Sequence, residues 1–141
     1  MRKLKNEELG RLSVDDYKAA KKRPIVIVLD NVRSMHNVGS AFRTADAFLI
    51  ERVYLCGITA QPPHRDINKT ALGATESVAW TYREKTTEAV EELSEAGYKI
   101  ICVEQVDESV PLQDFMPYHD GKYCIIFGNE VFGVEDEVVA Q

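Results

Sequence analysis

The feature that most constrains the fold is an uninterrupted run of five aliphatic residues, Ile25–Leu29, directly after Pro24. A strand with one face in water alternates apolar and polar residues, whereas a strand covered on both faces is apolar throughout. We therefore expect this run to be a central strand of a parallel sheet. A polar stretch, Asp30–Asn37, follows it, and apolar residues then recur at helical spacing over Val38–Phe48.

The remainder of the chain repeats this alternation of strands and helices. Apolar runs predict four further strands, at Arg52–Cys56, Val78–Tyr82, Tyr98–Val103 and Lys122–Phe127. Helical patterns cover 5–21 and 87–96, and a further helix opens at Glu135. Ser13 is placed to cap a second short helix near the N-terminus. Residues 57–75 are predicted to be loop-rich, with a short helical turn at Lys69–Ala74. Such alternation predicts one α/β domain, with a mostly parallel sheet and helices on both faces.

Charge is unevenly distributed along the chain. The formal net charge is −6, yet residues 1–23 hold eight Lys/Arg against four Asp/Glu, and the other 118 residues hold nine against nineteen. We expect residues 1–23 to form a basic N-terminal helical extension and residues 24–141 to form the main domain. A basic segment on an acidic body could steer RNA locally. A solvated helix face explains the same charges, so the pattern alone leaves both interpretations open.

Several classes of site are excluded by missing motifs. No GxGxxG follows the first strand, and the chain has no GxxxxGK(S/T), GxSxG or HExxH segment. The histidines are far apart and the three cysteines form no CxxC pair, so we expect no metal site and no disulfide. The cysteines lie in or beside apolar runs and are predicted to be small buried side chains. No apolar run approaches about 20 residues and the N-terminus lacks a signal-peptide core, so we expect a cytoplasmic protein without a membrane span.

Arg43 is the notable charge of the helix predicted after the first strand. Gly39 and Ser40 precede it by four and three residues, so the three residues share one side of the helix. We expect Gly39, one turn away, to leave open room beside the guanidinium. Arg43 is either a surface arginine whose stem covers apolar neighbours or a fork-shaped clamp on a phosphate or carboxylate. Asn37, at the predicted helix entry, either caps the helix or faces a ligand.

A second polar loop, Gly128–Gly133, follows the last predicted strand. Because the carboxyl ends of parallel strands lie at one edge of a sheet, we expect this loop to lie at the same edge as Asp30–Asn37. One interpretation is a simple turn, in which the glycines serve backbone geometry. The other is a loop whose backbone closely approaches a cofactor, which glycines at both ends allow.

Taken together, the two loops carry a resemblance to a known family. The first segment reads Asn37-Val38-Gly39-Ser40-Ala41-Phe42-Arg43, an Asn with an Arg six residues later at a small-residue helix start. The second is an apolar strand that ends in Gly128-Asn129-Glu130 and then Gly133. With Lys69–Gly73 between them, these segments resemble the SpoU/TrmH-type RNA ribose methyltransferases of the knotted SPOUT superfamily. The resemblance implies a SPOUT-type α/β domain over 24–141.

The resemblance also implies chemistry. It implies S-adenosyl-L-methionine as methyl donor, a ribose 2′-hydroxyl of tRNA or rRNA as acceptor, and a homodimer with its site at the subunit interface. The catalytic positions that it implies are Arg43, Asn37 and Glu130. The cofactor-binding positions that it implies, the last two on weaker grounds, are Gly128, Asn129, Glu130, Val103 and Glu104.

One departure from the family pattern bears on these implications. The family's third motif, a Ser-x-Asn segment with a helix that threads through a loop, follows about one helix later, and the sequence stops at Gln141 before any such segment. We therefore expect the domain to lack its C-terminal part, with the knot and the cofactor pocket incomplete. Two alternative functions stay open: a non-catalytic RNA-binding or dimerisation module, and a generic α/β domain for another small ligand.

Overall fold

The central element of the fold is a five-stranded, fully parallel sheet with strand order β3-β2-β1-β5-β4. The computed structural model describes the backbone of all 141 residues and every side chain except those of Asn6 and Glu7. The strands are β1 Arg23–Asp30, β2 Ile50–Cys56, β3 Trp80–Arg83, β4 Lys99–Val103 and β5 Tyr123–Phe127. The α-helices are α1 Val14–Ala19, α2 Met35–Ala47, α3 Arg65–Ala71, α4 Ala74–Ser77, α5 Thr86–Glu95 and α6 Asp136–Val139.

The first strand is central, as its composition predicts. β1 pairs with β2 on one side and with β5 on the other. Its odd-numbered residues, such as Ile27 and Leu29, pack beneath α2 and α3, and its even-numbered residues, such as Val26 and Val28, pack in a second cluster with residues of α5 and α6. The predicted parallel α/β sheet with helices on both faces is therefore confirmed.

The strand order determines which loops meet. From β1 the chain builds outward through β2 to β3, then crosses to β4 and returns through β5 to lie beside β1. The order thus reverses between β1 and β5, and the crevice at such a switch point is where open α/β sheets bind ligands. The loops after β1 and β5 are neighbours there, although about a hundred residues separate them in sequence.

Helix α2 begins three residues earlier than its apolar pattern predicts. The Ser34 side chain caps it by accepting a hydrogen bond from the backbone N–H of Asn37 at 3.2 Å, so the first turn is Met35 onward. Its buried face carries Val38, Phe42 and Ala45, as predicted.

The expectation that Gly39 opens room beside Arg43 is wrong. Gly39 is buried against α3, where a Cβ atom would overlap the Thr70 side chain and the Ile67 carbonyl oxygen and would lie 2.9 Å from the Ala71 nitrogen. The missing side chain therefore allows the close approach of two helices, which the spacing within α2 could not reveal.

Two segments, 5–21 and 57–75, differ from their predicted secondary structure. The N-terminal 5–21 pattern forms a 3₁₀ turn at Asn6–Leu9 and a separate short α1, because Gly10 adopts φ +60 between them. Ser13 caps α1, as predicted. The stretch 57–75 is more helical than predicted, since α3 occupies Arg65–Ala71, of which the turn predicted at 69–74 covers only the end, and α4 begins at Ala74.

The N-terminal segment is attached to the main domain through Tyr17. This side chain is buried in the core, and its hydroxyl donates to the Ala45 carbonyl oxygen at 3.2 Å. Burial is also the main reason that the pKa of Tyr17 rises to about 12, with the nearby Asp46 adding to the effect. No helix in the described structure is both long and apolar enough to cross a membrane.

Candidate functional site

Glu130 joins the two polar loops that the sequence singles out. Its carboxylate accepts hydrogen bonds from the backbone N–H groups of Arg33 at 2.9 Å and Ser34 at 3.0 Å. The same carboxylate accepts a third bond, from the Asn37 side-chain amide, at 2.9 Å. The loop after β5 is therefore attached directly to the loop and helix entry after β1, and Asn37 and Glu130 are in contact.

These hydrogen bonds also set the charge state of Glu130. Desolvation by burial works to raise the pKa of its carboxyl, but the bonds from the Arg33 and Ser34 amides and from Asn37 outweigh it. The pKa consequently lies below the ordinary value of 4.5, and the carboxylate is ionised at neutral pH. An ionised acceptor makes stronger hydrogen bonds than a neutral one, so the attachment is strongest in this state.

Asn129 closes the loop after β5. Its backbone exchanges hydrogen bonds with Gly133, N to O at 2.8 Å and O to N at 2.9 Å. Its side-chain oxygen accepts from the N–H groups of Val131 at 2.9 Å and Phe132 at 3.1 Å. Its side-chain amide donates to the Asn31 carbonyl oxygen at 2.8 Å, which adds a second attachment to the loop after β1.

The glycines at the two ends of this loop allow its backbone to pack closely against its neighbours. A Cβ atom on Gly128 would overlap the backbone of Gly133 and Val134, and one on Gly133 would overlap the Glu104 carboxylate. Gly133 also has φ +73, a conformation that favours glycine. Of the two interpretations of these glycines, backbone geometry is therefore the one that the contacts in the structure account for directly.

The structure places Glu104 and Val103 at the end of β4, next to the same loop. The Glu104 carboxylate accepts hydrogen bonds from the N–H groups of Gln105 and Val134, both at 2.8 Å, and these bonds lower its pKa. Val103 pairs with Phe127 at the ends of β4 and β5, and both side chains are exposed. Glu104 thus holds the loop after β5 from the β4 side, whereas Glu130 attaches the same loop to the loop after β1.

Two residues to which the sequence motifs assign no role complete the junction. Asp30 is fully buried and accepts hydrogen bonds from the Thr86 hydroxyl at 2.5 Å and the Glu135 N–H at 2.8 Å. Asn31 has φ +51 and donates through its amide to Asp30 at 2.9 Å and to the Glu135 carboxylate at 2.7 Å. The only signal for them in the sequence is an Asp-Asn pair directly after a buried strand.

An apolar groove runs from these loops along the sheet and α2. It encloses about 520 Å³. Aliphatic and aromatic side chains of β1 and β5 form its floor, and Asn37, Gly128 and Glu130 line its polar end. A volume of this size lies within the range of sites for small ligands and cofactors.

Arg43 is not brought to this junction. Asn37 and Arg43 are six residues apart on α2, which places them about 9 Å apart along the axis and about 120° apart around it. Arg43 is exposed and lines a second groove of about 590 Å³. This arginine groove also contains Arg11 from the N-terminal segment, together with Asp46 and Glu76. The structure therefore unites Asn37 with Glu130 and separates Arg43 from both.

Cysteine chemistry and metal binding have little support among the side chains that the structure describes. Burial raises the pKa of Cys56 and of Cys124 to about 12, so both thiols stay protonated at neutral pH. Within the same set of residues, no group of three or more His, Cys, Asp or Glu side chains is arranged to hold a metal ion.

The fold and the joined loops define a doubly wound α/β domain with a candidate ligand site at the carboxyl edge of its sheet. The model of the SpoU rRNA Methylase family matches residues 24–141. The chain belongs to this family.

Individual relatives agree with this assignment. The 23S rRNA (guanosine-2′-O-)-methyltransferase RlmB of Vibrio vulnificus is 28% identical over 95 residues, which cover 67% of this chain and 38% of that protein. The tRNA (guanosine(18)-2′-O)-methyltransferase of Aquifex aeolicus is 28% identical over 123 residues, or 84% of this chain and 55% of that protein. The crystal structure of the AdoMet-bound rRNA methyltransferase from Sinorhizobium meliloti has a TM-score of 0.76 at 21% identity, covering 89% of this chain and 48% of that one. The chain thus spans only about half, or less, of these proteins.

Proposed function

We propose that the protein is an S-adenosyl-L-methionine-dependent methyltransferase that acts on a ribose 2′-hydroxyl of tRNA or rRNA. The observation that carries the proposal is membership of the SpoU family over residues 24–141, a stretch that contains both polar loops. The named relatives from Vibrio and Aquifex are 2′-O-methyltransferases of rRNA and tRNA. We also propose a cytoplasmic location, which fits tRNA or rRNA as the substrate.

The junction of the two loops fits a nucleoside-sized cofactor. The apolar groove offers aliphatic and aromatic surface for a base, and the ionised Glu130 lies at its polar end. Gly128, Asn129 and Glu130 would hold the cofactor together with Val103 and Glu104 at the end of the neighbouring strand. When bound, S-adenosyl-L-methionine supplies a methyl group on a positively charged sulfur.

The chain's residues must then position the acceptor oxygen and allow its proton to leave. In-line transfer needs the reacting atoms within about 3–3.5 Å. A guanidinium stays protonated in proteins, so Arg43 is a poor base. In this proposal Arg43 clamps the phosphate beside the reacting ribose and aims its 2′-oxygen, while Asn37 and Glu130 keep the two loops together.

The separation of Arg43 from the Asn37–Glu130 contact supports a homodimeric site. In one chain Arg43 faces the arginine groove, on a different side of α2 from the apolar groove. We propose that Arg43 of one protomer acts beside the cofactor loop of its partner. Each site would then be incomplete without the second copy.

The test of this function is the variant Arg43→Ala. Transfer of labelled methyl groups from S-adenosyl-L-methionine to unfractionated tRNA and rRNA should fall at least 100-fold, because the phosphate clamp is lost. Calorimetric affinity for S-adenosylhomocysteine should stay within about twofold of wild type, because the cofactor loop is intact. Arg43→Lys keeps the charge but not the fork and should recover little of the activity.

The matched control is Lys85→Ala, which removes an exposed cation at the start of α5. It should methylate RNA at the wild-type rate. Binding of S-adenosylhomocysteine without any methyl transfer by the wild-type protein would instead identify a non-catalytic module. Failure of the wild-type protein to bind S-adenosylhomocysteine would reject the proposal in favour of a generic α/β domain for another ligand.

A further inference from the structure

Asn31 is the point at which three loops of the carboxyl edge converge. Its backbone N–H donates to the Cys56 carbonyl oxygen, and its side-chain oxygen accepts from the Ile58 N–H at 3.1 Å, which fixes the loop after β2. Its side-chain amide reaches Glu135 at the start of α6 at 2.7 Å. Its carbonyl oxygen receives the Asn129 amide at 2.8 Å, which fixes the loop after β5.

The conformation of Asn31 is part of this arrangement. It has φ +51, in the left-handed region that non-glycine residues enter at a cost, with asparagine more tolerant than most. Both amide hydrogens and the side-chain oxygen are used. The surrounding contacts therefore hold Asn31 in its unfavourable backbone conformation. The side chain of Asn31 in turn keeps the groups that it contacts in position.

The buried carboxylate of Asp30 anchors this arrangement to the core. Asp30 is fully buried and bonds to Asn31, to the Thr86 hydroxyl at the start of α5, and to the Glu135 N–H. These bonds fix Asn31 relative to the end of β1. Asn31 in turn holds the loop that Asn129 closes, because its carbonyl oxygen accepts the Asn129 amide. Neither Asp30 nor Asn31 lines the apolar groove.

We propose that Asn31 is a positioning residue for cofactor binding: through Asn129 and Glu135 it holds the loop 128–135 in the conformation that receives the cofactor. This inference rests on the proposed function. Asn31 acts through the loop rather than on the reacting atoms, so its loss should change cofactor affinity and loop mobility and leave the RNA-clamping Arg43 untouched.

The variant Asn31→Gly isolates the side-chain part of this role, because glycine accepts φ +51 without strain and keeps the carbonyl oxygen that receives Asn129. It removes the side-chain bonds to Asp30, Glu135 and Ile58. We expect the dissociation constant for S-adenosylhomocysteine to rise at least tenfold and the KM for S-adenosyl-L-methionine to rise likewise, with kcat within about twofold of wild type. Hydrogen exchange of the Glu135 amide, which donates to Asp30 beside the lost side-chain bonds, should accelerate at least tenfold, while the Val28 amide in the central strand keeps its protection. Asn68→Ala, an exposed asparagine on α3, is the control and should match wild type in every measurement.

If Asn31→Gly does not fold, Glu135→Ala replaces it, since alanine removes the carboxylate that accepts the Asn31 amide and leaves Asn31 itself unchanged. Unchanged S-adenosylhomocysteine affinity in a folded variant would overturn the inference. Equal acceleration of exchange at Val28 and Glu135 would also overturn it, because the effect would then be global unfolding. If the wild-type protein itself does not bind S-adenosylhomocysteine, the proposed function fails, and the positioning role for the cofactor fails with it even where Asn31 still orders the loop.

Discussion

At the scale of single residues, the carboxylates at the carboxyl edge of the sheet accept hydrogen bonds from backbone amides. Glu130 accepts from Arg33 and Ser34, Glu104 from Gln105 and Val134, and Asp30 from Glu135. Each bond satisfies a loop N–H group and joins segments that are distant in sequence or stiffens a strand end. Charged acceptors make such bonds stronger than neutral ones. The pKa values of Glu130 and Glu104 lie below the ordinary value of 4.5, so these two carboxylates hold the edge most firmly when they are ionised.

The pH dependence of the free energy of unfolding should show that Glu130 stabilises the fold as an ionised carboxylate. Its folded-state pKa lies below the ordinary value of 4.5, so its stabilising contribution is fully present above that value and is lost as the pH falls through the folded-state pKa. The free energy of unfolding of wild type minus that of Glu130→Gln should therefore be constant near neutrality and shrink below pH 4.5. Urea unfolding from pH 7 to pH 3 measures it.

The control for that experiment is Glu91→Gln, an exposed glutamate on α5, on the other face of the sheet. Its difference from wild type should stay close to zero across the same range. A Glu130→Gln difference that grew on acidification would contradict the assigned direction of the pKa change.

At the scale of elements, the packing of α2 on α3 decides how Gly39 is used. Glycine inside a helix ordinarily costs about 1 kcal/mol relative to alanine, so Gly39→Ala should stabilise α2 considered alone. In the folded protein the added methyl group meets the Thr70 side chain and the Ile67 carbonyl oxygen of α3. Overpacking costs about 1–3 kcal/mol, and a backbone carbonyl cannot move aside cheaply, so the steric cost exceeds the helical gain.

We therefore expect Gly39→Ala to lower the free energy of unfolding by up to about 2 kcal/mol, which is the overpacking cost of about 1–3 kcal/mol less the helical gain of about 1 kcal/mol. Urea denaturation at neutral pH measures the change. Ser40→Ala, the next residue and an exposed one, is the matched control and should change stability by less than about 0.5 kcal/mol. A stabilised Gly39→Ala protein would show that α2 and α3 do not approach as closely as the structure has them.

At the scale of the whole molecule, the structure shows where the basic N-terminal segment lies relative to Arg43. The chain carries a net charge of −6, yet its basic N-terminal segment places Arg11 in the arginine groove beside Arg43. Asp46 and Glu76 lie in the same groove, so any attraction for RNA is local rather than a broad basic field. On the proposed function, Arg11 contacts a phosphate next to the one that Arg43 holds.

Salt dependence of RNA binding tests that contact. Each phosphate contact on a single strand contributes about 0.7 to the slope of log K against log salt. Arg11→Gln should reduce the slope for unfractionated tRNA by about that amount, measured by filter binding from 50 to 300 mM salt. Lys99→Gln, which removes one exposed charge on β4, should leave the slope unchanged. The reverse pattern would place the RNA on another face.

Much of the fold could be predicted because it depends on local pattern. The strand 25–29 lacks a polar face, and that alone required cover on both sides and a central place in a parallel sheet. The buried residues of α2 followed from their spacing, and the two motif segments were sufficient to indicate the family that residues 24–141 belong to. Nearest-neighbour sterics and periodic burial act over a few residues, so they are visible in the sequence.

Only the tertiary structure decided which residues meet. The spacing of residues along the chain places both loops at one edge of the sheet but does not make β5 the neighbour of β1. That pairing brings Glu130 to Asn37 and Asn129 to Asn31. The same folding turns Arg43 away from both loops and presses Gly39 against α3, contrary to the room expected there. These contacts join segments up to about a hundred residues apart, and their geometry is set by sheet order and helix packing rather than by the spacing of residues along the chain.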